Sequence, residues 1–302
     1  MTRSFTFLVN PASGGGAAPA AVVPVARILR ERGASVDVTY SPGPRAMGAL
    51  VSAAVERGDV VVSVGGDGML SSLAGLVSHA GGTLAVVPAG RGNDFARMLG
   101  LPSEPADVAA LLIDGEVRRV DLIQVTLPGA APRLVAGSVY SGVDARASEI
   151  VDRSHRLPRK LQYPWAALRA LATYSPADFR VSVDGVEASY DAASVVVANS
   201  AFYGSGMKIA PAAAVADGIL DVVVIEAASK LALMRSLPKV YDGAHVDLPE
   251  VTVLTGKRVE LRADAKVPVP VGGDGEPLGQ LPAVADPPAK VEVLPGALAI
   301  IC

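Results

Sequence analysis

The sequence predicts an α/β domain followed by an all-β sandwich domain. Apolar β-branched runs alternate with helical patterns through about the first 115 residues, which is typical of parallel βαβ units. After about Val120 the strand-like runs follow one another directly, with turn residues between them, which favours an antiparallel sandwich. We expect the two domains to span residues 1–127 and 128–302, with the turn segment PGAAP at the start of the second.

Composition and charge exclude several classes of protein. The 302 residues are 50% hydrophobic and 19% charged, which indicates a well-cored globular protein. The net charge of −3 gives no general attraction to nucleic acid, so no nucleic-acid partner is expected. The single cysteine, Cys302, fits a reducing compartment, and we expect a cytoplasmic protein without a secretory signal. No apolar run approaches about 18 residues, so we expect no transmembrane helix.

The segment 60–77, VVVSVGGDGMLSSLAGLV, organises the first domain. Its apolar start predicts a buried parallel strand, its glycines a turn, and its end a helix. Such a turn presents backbone N–H groups and a helix N-terminus to an anion, and glycine lets a phosphate approach closely. Asp67 would repel that phosphate unless a metal ion lies between them or the carboxylate holds other side chains. The alternative is a plain strand-to-helix turn in which Asp67 caps the helix.

The remaining elements of the first domain follow from the same patterns. Gly33 is expected at the C′ position of the first helix, and Asn93 or Asp94 at the N-cap of the fourth. Glycine turns follow the strands 5–9, 60–64 and 83–87, and ligands of α/β sheets bind at that edge. Besides 60–64, strands are predicted at 5–9, 36–40 and 83–87; besides the helix after Gly68, helices are predicted at 22–32, 47–57, 105–114 and within 88–99.

The second domain is predicted to consist of closely spaced strands with two helical interruptions. The strands are expected at 119–126, 134–140, 180–183, 193–199, 219–225, 251–254, 258–263, 267–271, 289–294 and 297–301, and the helices at 157–174 and 230–240.

The helical segment 157–174 allows two interpretations. Leu161, Trp165, Leu168 and Leu171 recur near helical spacing. They are preceded or joined by the basic residues Arg153, His155, Arg156, Arg159 and Lys160. The helix either covers an open face of the sandwich or meets a bilayer interface, where tryptophan and basic side chains are favoured.

Six motifs occur along the chain: VNPASGG, GGDG, PAGRGNDFAR, NSAFYGSGMKIAP, ADGILDV and GGDGEPL. This ordered set, which runs from Phe5 to Ile301, resembles the bacterial diacylglycerol kinase-type lipid kinases, relatives of the sphingosine kinases. GGDG is shared with NAD kinases and phosphofructokinases, so ADGILDV and DGEPL are the discriminating motifs. The resemblance implies a Rossmann-like N-terminal nucleotide-binding domain, similar to that of NAD kinases and phosphofructokinases. It also implies a C-terminal β-sandwich for the lipid, with the active site in the cleft between the domains.

The resemblance also implies catalytic residues. Glu276 would take the proton from the lipid hydroxyl, with Asp274 orienting it, because phosphoryl transfer to an alcohol needs a proton acceptor. Asp67 and Asp94 would belong to the network that organises Mg²⁺. The alternative for GGDGE is a hairpin turn, in which Asp-Gly is a favoured dipeptide and an exposed glutamate is unremarkable.

Further residues are implied as ligands of ATP and of a second, structural Mg²⁺. For that metal, Asp217 would supply its carboxylate and Ala214 and Ile219 their main-chain oxygens; the alternative is an Asx-turn without metal. Tyr40 is an alternative to Ser41 as a contact of the nucleotide. The nucleotide ligands implied are Asn10, Ser13, Gly14, Ser41, Gly65, Gly66, Asp67, Gly68, Arg91 and Asn93.

The chain departs from the usual motifs at three places. Met69 and Arg91 stand where relatives mostly have threonine, and Gly15 and Gly16 stand where many have lysine. These changes remove polar contacts to the nucleotide, although a guanidinium group at residue 91 would suit phosphates.

The resulting hypothesis is an ATP-dependent, Mg²⁺-dependent lipid kinase that phosphorylates a lipid hydroxyl, with diacylglycerol as the first expectation and phosphatidic acid as its product. Such an enzyme would collect its substrate by peripheral contact with the inner face of the membrane, and the resemblance permits a homodimer. The alternatives are an NAD-kinase-like enzyme with a soluble substrate and a non-catalytic nucleotide- or lipid-binding relative. The identity of the lipid does not follow from the motifs.

Overall fold

The computed structural model describes residues 3–41, 43–153, 159–173 and 175–302. The chain divides into two compact units. Unit one contains Met1–Leu122 and Pro295–Cys302, and unit two contains Ile123–Leu294. Because the last residues belong to unit one, the chain leaves that unit once and returns to it at its C-terminus.

Unit one contains a parallel sheet with helices between its strands. Its strands are β1 (Ser4–Val9), β2 (Ser35–Tyr40), β3 (Val60–Gly65) and β4 (Thr83–Pro88). Its helices are α1 (Ala18–Glu31), α2 (Pro44–Glu56), α3 (Asp67–Ala80), α4 (Asp94–Met98) and α5 (Pro105–Asp114). All the predicted strands and helices of this part are confirmed, with ends shifted by a few residues.

The sheet order places β3 at its centre. The strands run β2–β1–β3–β4, with Ala299 and Ile300 of the last strand paired beside β4, and all four pairings are parallel. Every residue of β3 is buried, as expected for a strand covered by helices on both faces. Gly33 follows α1 with a φ of 82° and its N–H donates to Arg30 O, which confirms it as the C′ residue of that helix.

Unit two consists mainly of antiparallel strands. The strands are β5 (Val117–Thr126), β6 (Arg133–Val135), β7 (Ser138–Gly142), β8 (Ala177–Val183), β9 (Val186–Ala198), β10 (Leu220–Glu226), β11 (Val251–Gly256), β12 (Arg258–Asp264), β13 (Pro270–Gly273), β14 (Glu276–Gln280) and β15 (Ala289–Ile301), the first and last of which extend into unit one. The helices are α6 (Val143–Arg153), α7 (Arg159–Ala172) and α8 (Lys230–Asp242).

The long strand β9 connects the pairings of unit two. Its first half pairs with β8, and its second half pairs with β7 on one side and β10 on the other. The order continues through β7, β13 and β14 at one end and through β8, β12 and β15 at the other. Two apolar clusters form its core: one includes Phe179, Val195 and Leu261, and the other includes Val196, Ile209 and Val223.

The structure differs from the predicted elements of unit two in several ways, and β9 begins at Val186, well before the predicted strand 193–199. The predicted strand 134–140 is divided into β6 and β7, because the N–H groups of Ala136, Gly137 and Ser138 donate to the Asp274 carboxylate. The predicted strands 289–294 and 297–301 form the single strand β15. Helix α6 was missed because its sequence is largely polar, and β14 because it follows a turn and contains a proline.

The helical segment predicted at 157–174 corresponds to α7. His155 and Arg156 lie outside the described residues, as do the side chains of Arg153, Arg159, Lys160 and Leu161. Leu171 is buried, whereas Trp165 and Leu168 are exposed. Among the described residues, no helix combines the length and the apolar character needed to cross a bilayer.

Candidate active site

Three glycine-rich loops of unit one follow the carboxyl ends of adjacent strands. Asn10 follows β1 and its N–H donates to Val64 O at 3.0 Å, at the end of β3. Ala89 follows β4 and its N–H donates to Gly65 O at 3.0 Å. These two hydrogen bonds tie the loops to one another, so the edge at which ligands of α/β sheets bind is formed by all three.

The first loop packs against the other two without room for larger side chains. Gly14 has a φ of 59°, and a Cβ there would lie 2.5 Å from Ala89 O in the third loop. A Cβ at Gly65 would lie 3.2 Å from Ser13 Oγ. Asn10 Oδ1 accepts the N–H of Ala12 at 3.0 Å and shapes the start of the loop.

The second and third loops bring two carboxylates together. A Cβ at Gly92 would lie 2.9 Å from Oδ2 of Asp67 and 2.9 Å from Oδ2 of Asp94. Asp67 Oδ1 also accepts the N–H of Phe95 at 3.2 Å, in the first turn of α4. Asp94 is buried and Asp67 half-buried. The two acids predicted to organise Mg²⁺ are therefore adjacent in the folded chain.

Asn93 shapes the third loop from within. It occupies the N-cap position of α4 in a left-handed conformation with a φ of 52°, and its side chain does not cap the helix. Its Oδ1 accepts the N–H of Gly90 at 2.8 Å instead. The backbone of Gly90 lies directly against Gly66, so a side chain at residue 90 would collide with the second loop.

Ser41, Arg91 and Met69 surround this edge. Ser41 N–H donates to Val9 O at 2.7 Å, which places Ser41 beside the end of β1, whereas the Tyr40 side chain is 51% exposed. Arg91 is exposed within the third loop. A Cβ at Gly65 would lie 3.0 Å from Met69 Sδ, so the residue that replaces the usual threonine packs over the glycine turn.

Sequence reasoning missed the contributions of Ala89 and Gly92 to this site. Neither carries a functional group, and the only available signal was their place inside the PAGRGNDFAR motif. Their role is steric: the Ala89 carbonyl lies against Gly14, and the bare Cα of Gly92 leaves room for Asp67 and Asp94, so the loops can approach one another.

In unit two, the predicted proton acceptor lies on a tight hairpin. Gly273 of β13 faces Glu276 of β14, and the two residues between them, Asp274 and Gly275, have φ values of 45° and 87°. Positive φ at both central residues is the signature of a type I′ turn, so the backbone of this motif forms the hairpin turn that Asp-Gly favours. Glu276 is exposed at the start of β14, where a carboxylate can reach a ligand.

Asp274 fixes the turn of that hairpin. Its carboxylate accepts the N–H groups of Ala136, Gly137 and Ser138 at 2.9 to 3.2 Å. The same loop is held from the other side, where Gly137 O accepts the N–H groups of Asn199 and Ser200. The GGDGE and NSAFYG motifs are therefore joined through one short loop.

A largely apolar cavity also lies within unit two. It has a volume of about 800 Å³, including its opening to solvent, within the range of small-molecule sites. Asp144 provides a polar wall, because its carboxylate accepts the hydroxyls of Tyr203, at 3.0 Å, and Ser194. Burial raises the pKa of Asp144, and these hydrogen bonds oppose the shift. The apolar lining includes Val143, Ala147, Leu171, Ala232, Leu233 and Leu237, from α6, α7 and α8.

Asp217 of the ADGILDV motif forms a local turn. Its Oδ1 accepts the N–H of Ile219 at 3.0 Å, which is the Asx-turn geometry. Burial, and then the charge of Asp217, raise the pKa of Asp221. Within the described part of the chain, no group of three or more His, Cys, Asp or Glu residues is arranged to hold a metal ion.

Comparison with known proteins identifies both parts of the chain. Residues 4–125 match the family described as "Diacylglycerol kinase catalytic domain". Residues 137–302 match the family described as "YegS C-terminal NAD kinase beta sandwich-like domain". These matches confirm the predicted fold class, an α/β domain followed by a β-sandwich domain.

Relatives and solved structures agree with these matches. A "Diacylglycerol kinase" of Mycobacterium tuberculosis (strain CDC 1551 / Oshkosh) is 33% identical over 295 residues, which cover 96% of this chain and 94% of the relative. A "Diacylglycerol kinase" of Bacillus subtilis (strain 168) is 26% identical over 246 residues, which cover 78% of this chain and 76% of the relative.

The crystal structure of a putative diacylglycerol kinase from Bacillus anthracis str. Sterne superposes with a TM-score of 0.75 at 20% identity, covering 99% of this chain and 97% of that chain. At this identity the superposition bears on the fold alone. The family matches and the 33% identity over almost the whole chain carry the assignment. The chain therefore belongs to the diacylglycerol kinase family, and it is a lipid kinase.

Proposed function

We propose that the enzyme transfers the γ-phosphoryl group of ATP to the hydroxyl of diacylglycerol, giving phosphatidic acid, with Mg²⁺ as cofactor. The observation that carries the proposal is the pair of carboxylates, Asp67 and Asp94, beside Gly92 among three glycine loops. Phosphoryl transfer depends mainly on positioning and charge neutralisation, and this arrangement offers donors for phosphates together with acids for a cation. The relatives named diacylglycerol kinase support the choice of lipid.

Unit one would bind the nucleotide. Backbone N–H groups of the loops at Gly14 and at Gly65 to Gly68 would contact the phosphates, since glycine permits the close approach. Asn10 and Asn93 would keep those loops in shape through their hydrogen bonds to Ala12 and Gly90. Ser13, Ser41 and Arg91 border the same edge and would add polar and charged contacts.

The residues present fit a magnesium ion. Mg²⁺ in kinases is held by one or two carboxylates together with substrate phosphates, and Asp67 and Asp94 supply two carboxylates beside one glycine. Bound there, Mg²⁺ would neutralise negative charge on the phosphates. The N–H of Phe95 orients the Asp67 carboxylate, so this side chain is held in place before any ligand arrives.

Unit two would bind the lipid and remove its proton. Glu276 would accept the hydroxyl proton as the oxygen attacks phosphorus. The type I′ turn and the Asp274 contacts hold the backbone from which Glu276 projects. The apolar cavity at α6, α7 and α8 would accept the hydrocarbon part of the lipid, because burial of alkyl groups is favourable by about 0.8 kcal/mol per CH₂.

The second metal site is a separate proposal. Asp217 would hold a structural Mg²⁺ together with main-chain oxygens of Ala214 and Ile219. Burial, and then the charge of Asp217, raise the pKa of Asp221. A cation bound at Asp217 would relieve the repulsion between these two acids, which supports the proposed metal site.

Two partners also remain proposals. Contact with the inner face of the membrane is supported by the exposed Trp165 and Leu168 on α7, since aromatic and apolar side chains favour the bilayer interface. A homodimer stays a prediction from the resemblance, and a cytoplasmic location stays a prediction from the single cysteine. Light scattering of the purified protein and flotation with anionic vesicles would test the dimer and the membrane contact.

The test of the activity is phosphoryl transfer from labelled ATP into a panel of diacylglycerol, monoacylglycerol, a long-chain base, a polyprenol and NAD. Mass identification of phosphatidic acid as the main product, dependent on added Mg²⁺, is the expected result. Label in another lipid would replace diacylglycerol as substrate. Label in NAD alone, or ATP binding without transfer to any acceptor, would contradict the proposal and favour one of the two alternatives.

A further inference from the structure

Tyr140 lies between the Glu276 hairpin and helix α6. It is in β7, directly opposite Gly272 of β13, and its side chain is buried. Its hydroxyl oxygen accepts the N–H of Gly275 at 2.9 Å and lies 3.4 Å from Ser148 Oγ on α6. A buried tyrosine hydroxyl needs polar partners, and here one of them is the turn residue that precedes Glu276.

The first glycine of the GGDGE motif provides the space for this ring. A Cβ at Gly272 would lie 2.5 Å from Cε2 of Tyr140 and 3.2 Å from its hydroxyl oxygen. The ring therefore lies against the bare backbone of β13, and a larger residue at 272 would push it away. The ring therefore requires glycine at residue 272.

A second tyrosine lies beside the Tyr140 ring. The ring of Tyr203 lies 6.0 Å from that of Tyr140 between centroids, at 58°. Tyr203 is itself held by its hydrogen bond to the half-buried Asp144 on α6. Tyr140 is thereby tied to the polar wall of the apolar cavity as well as to the hairpin.

The hairpin depends on such contacts because β14 is an edge strand. In the described part of the chain β14 pairs only with β13, and four of its five residues are exposed. β13 is held by its pairing with β7, but β14 lies at the sheet edge, so contacts from the rest of the unit help to fix its end. These contacts include the Asp274 carboxylate, bound to the loop 136–138, the Tyr140 hydroxyl, bound to Gly275, and Arg133, which donates to Pro277 O.

We propose that Tyr140 is a positioning residue, which holds the Gly275 amide so that Glu276 points at the acceptor hydroxyl. This inference rests on the proposed role of Glu276 as the proton acceptor. Asp274 fixes the first residue of the turn, and Tyr140 fixes the peptide group next to Glu276. Loss of the Tyr140 hydroxyl affects catalysis through the Glu276 side chain and leaves the binding of both substrates intact.

The kinetic test compares Tyr140→Phe with the matched variant Tyr190→Phe. Tyr190 lies in β9 of the same unit and packs against its core. We expect Tyr140→Phe to lower kcat about tenfold, with KM for ATP and for the lipid within about twofold of wild type, and Tyr190→Phe to change neither. An unchanged kcat, or a rise in KM that accounts for the whole loss, overturns the positioning role.

A double mutant tests whether Tyr140 acts through Glu276. In a Glu276→Gln background the residual rate no longer depends on the direction of that carboxylate, so adding Tyr140→Phe should change it less than twofold. If Tyr140→Phe costs the same tenfold factor in both backgrounds, the residue acts independently of Glu276 and the proposal fails.

Hydrogen exchange provides a readout that does not depend on activity. In Tyr140→Phe the amides of residues 272–276 should exchange about tenfold faster, whereas β8 and β9 should exchange as in wild type. Unchanged exchange at 272–276 overturns the anchoring by Tyr140 even in an active enzyme. If wild type phosphorylates no lipid, the proposed function fails, and faster exchange in the variant still establishes the anchor alone.

Discussion

Asp67 and Asp94, from two different loops, approach the same bare Cα. A Cβ at Gly92 would lie 2.9 Å from Oδ2 of each. Gly92 does not have a positive φ, so its backbone conformation by itself would allow other amino acids. The two carboxylates explain why glycine is nevertheless needed at this position. The constraint at Gly92 is steric and local to the two carboxylates.

The first prediction therefore concerns Gly92→Ala. The added methyl group must displace at least one carboxylate, so we expect kcat to fall about 100-fold or more and the Mg²⁺ requirement to rise. Steady-state kinetics over a Mg²⁺ series measures both. Gly48→Ala is the matched control, because a Cβ there would meet only Leu76 Cδ2, at 3.8 Å, within the helical range Pro44–Glu56. Equal activity of the two variants would contradict the role of this carboxylate pair.

The second prediction concerns the proton acceptor. Glu276→Gln keeps the size of the side chain and removes its basicity, so we expect turnover to fall about 1,000-fold while nucleotide binding stays within about twofold of wild type. Rapid-quench transfer assays and fluorescent-nucleotide titration measure these two quantities. Glu260→Gln, on β12 of the same unit, should retain full activity. Retained turnover in the Glu276 variant would remove it from the mechanism.

The sequence predicted the α/β half almost completely, because its strands are buried on both faces and its helices carry clear apolar periodicity. The break at Ala136 and Gly137 could not be predicted, since it depends on a carboxylate 137 residues away in sequence. Helix α6 was missed for a related reason: its sequence is mostly polar, and its apolar residues Val143 and Ala147 matter only because they line the cavity. Tyr140 was part of a predicted strand, and nothing local marked its hydroxyl as a partner of Gly275.

The third prediction concerns the apolar cavity of unit two. Ala232 lines it on α8, so Ala232→Phe would fill part of the space that the hydrocarbon chains would occupy. We expect KM for diacylglycerol to rise about tenfold or more, with KM for ATP unchanged. The rise should be smaller for a short-chain diacylglycerol, and mixed-micelle kinetics with both lipids measures it. Ala172→Phe, at an exposed residue of α7, is the control. An equal effect on both chain lengths would argue against the cavity as the site for the chains.

The fourth prediction concerns the proposed structural metal. Asp217→Asn keeps an oxygen that can accept the Ile219 N–H but removes the charge that a cation requires. We expect millimolar Mg²⁺ to raise the melting temperature of wild type by about 2 °C or more and to leave the variant unchanged. Differential scanning calorimetry with and without EDTA measures the shift. Asp286→Asn serves as a control for general ionic effects. Equal stabilisation of all three proteins would favour the Asx-turn without metal.

The last prediction concerns the pH dependence of unit two. His245 lines the cavity, is 2% exposed and lies with Nε2 3.0 Å from Ile209 O. Burial lowers its pKa below 6.5, although backbone acceptors and the acids Asp144 and Asp242 oppose the shift. Because the pKa of His245 is lower in the folded state than in the unfolded state, protonation at acid pH favours the unfolded chain. The folded protein is therefore favoured above pH 6.5, and this contribution is lost as the pH falls below 6.5.

Burial raises the pKa of Asp144 in the same cavity, and that shift acts in the opposite direction, because it costs stability as the pH rises. His245→Gln removes the first contribution and leaves the second. We therefore expect the urea midpoint of wild type to fall more steeply between pH 7 and pH 5 than that of His245→Gln. His79→Gln, on the last turn of α3 in unit one, is the control and should follow wild type. Parallel curves for wild type and His245→Gln would show that burial of His245 does not set the acid stability of this unit.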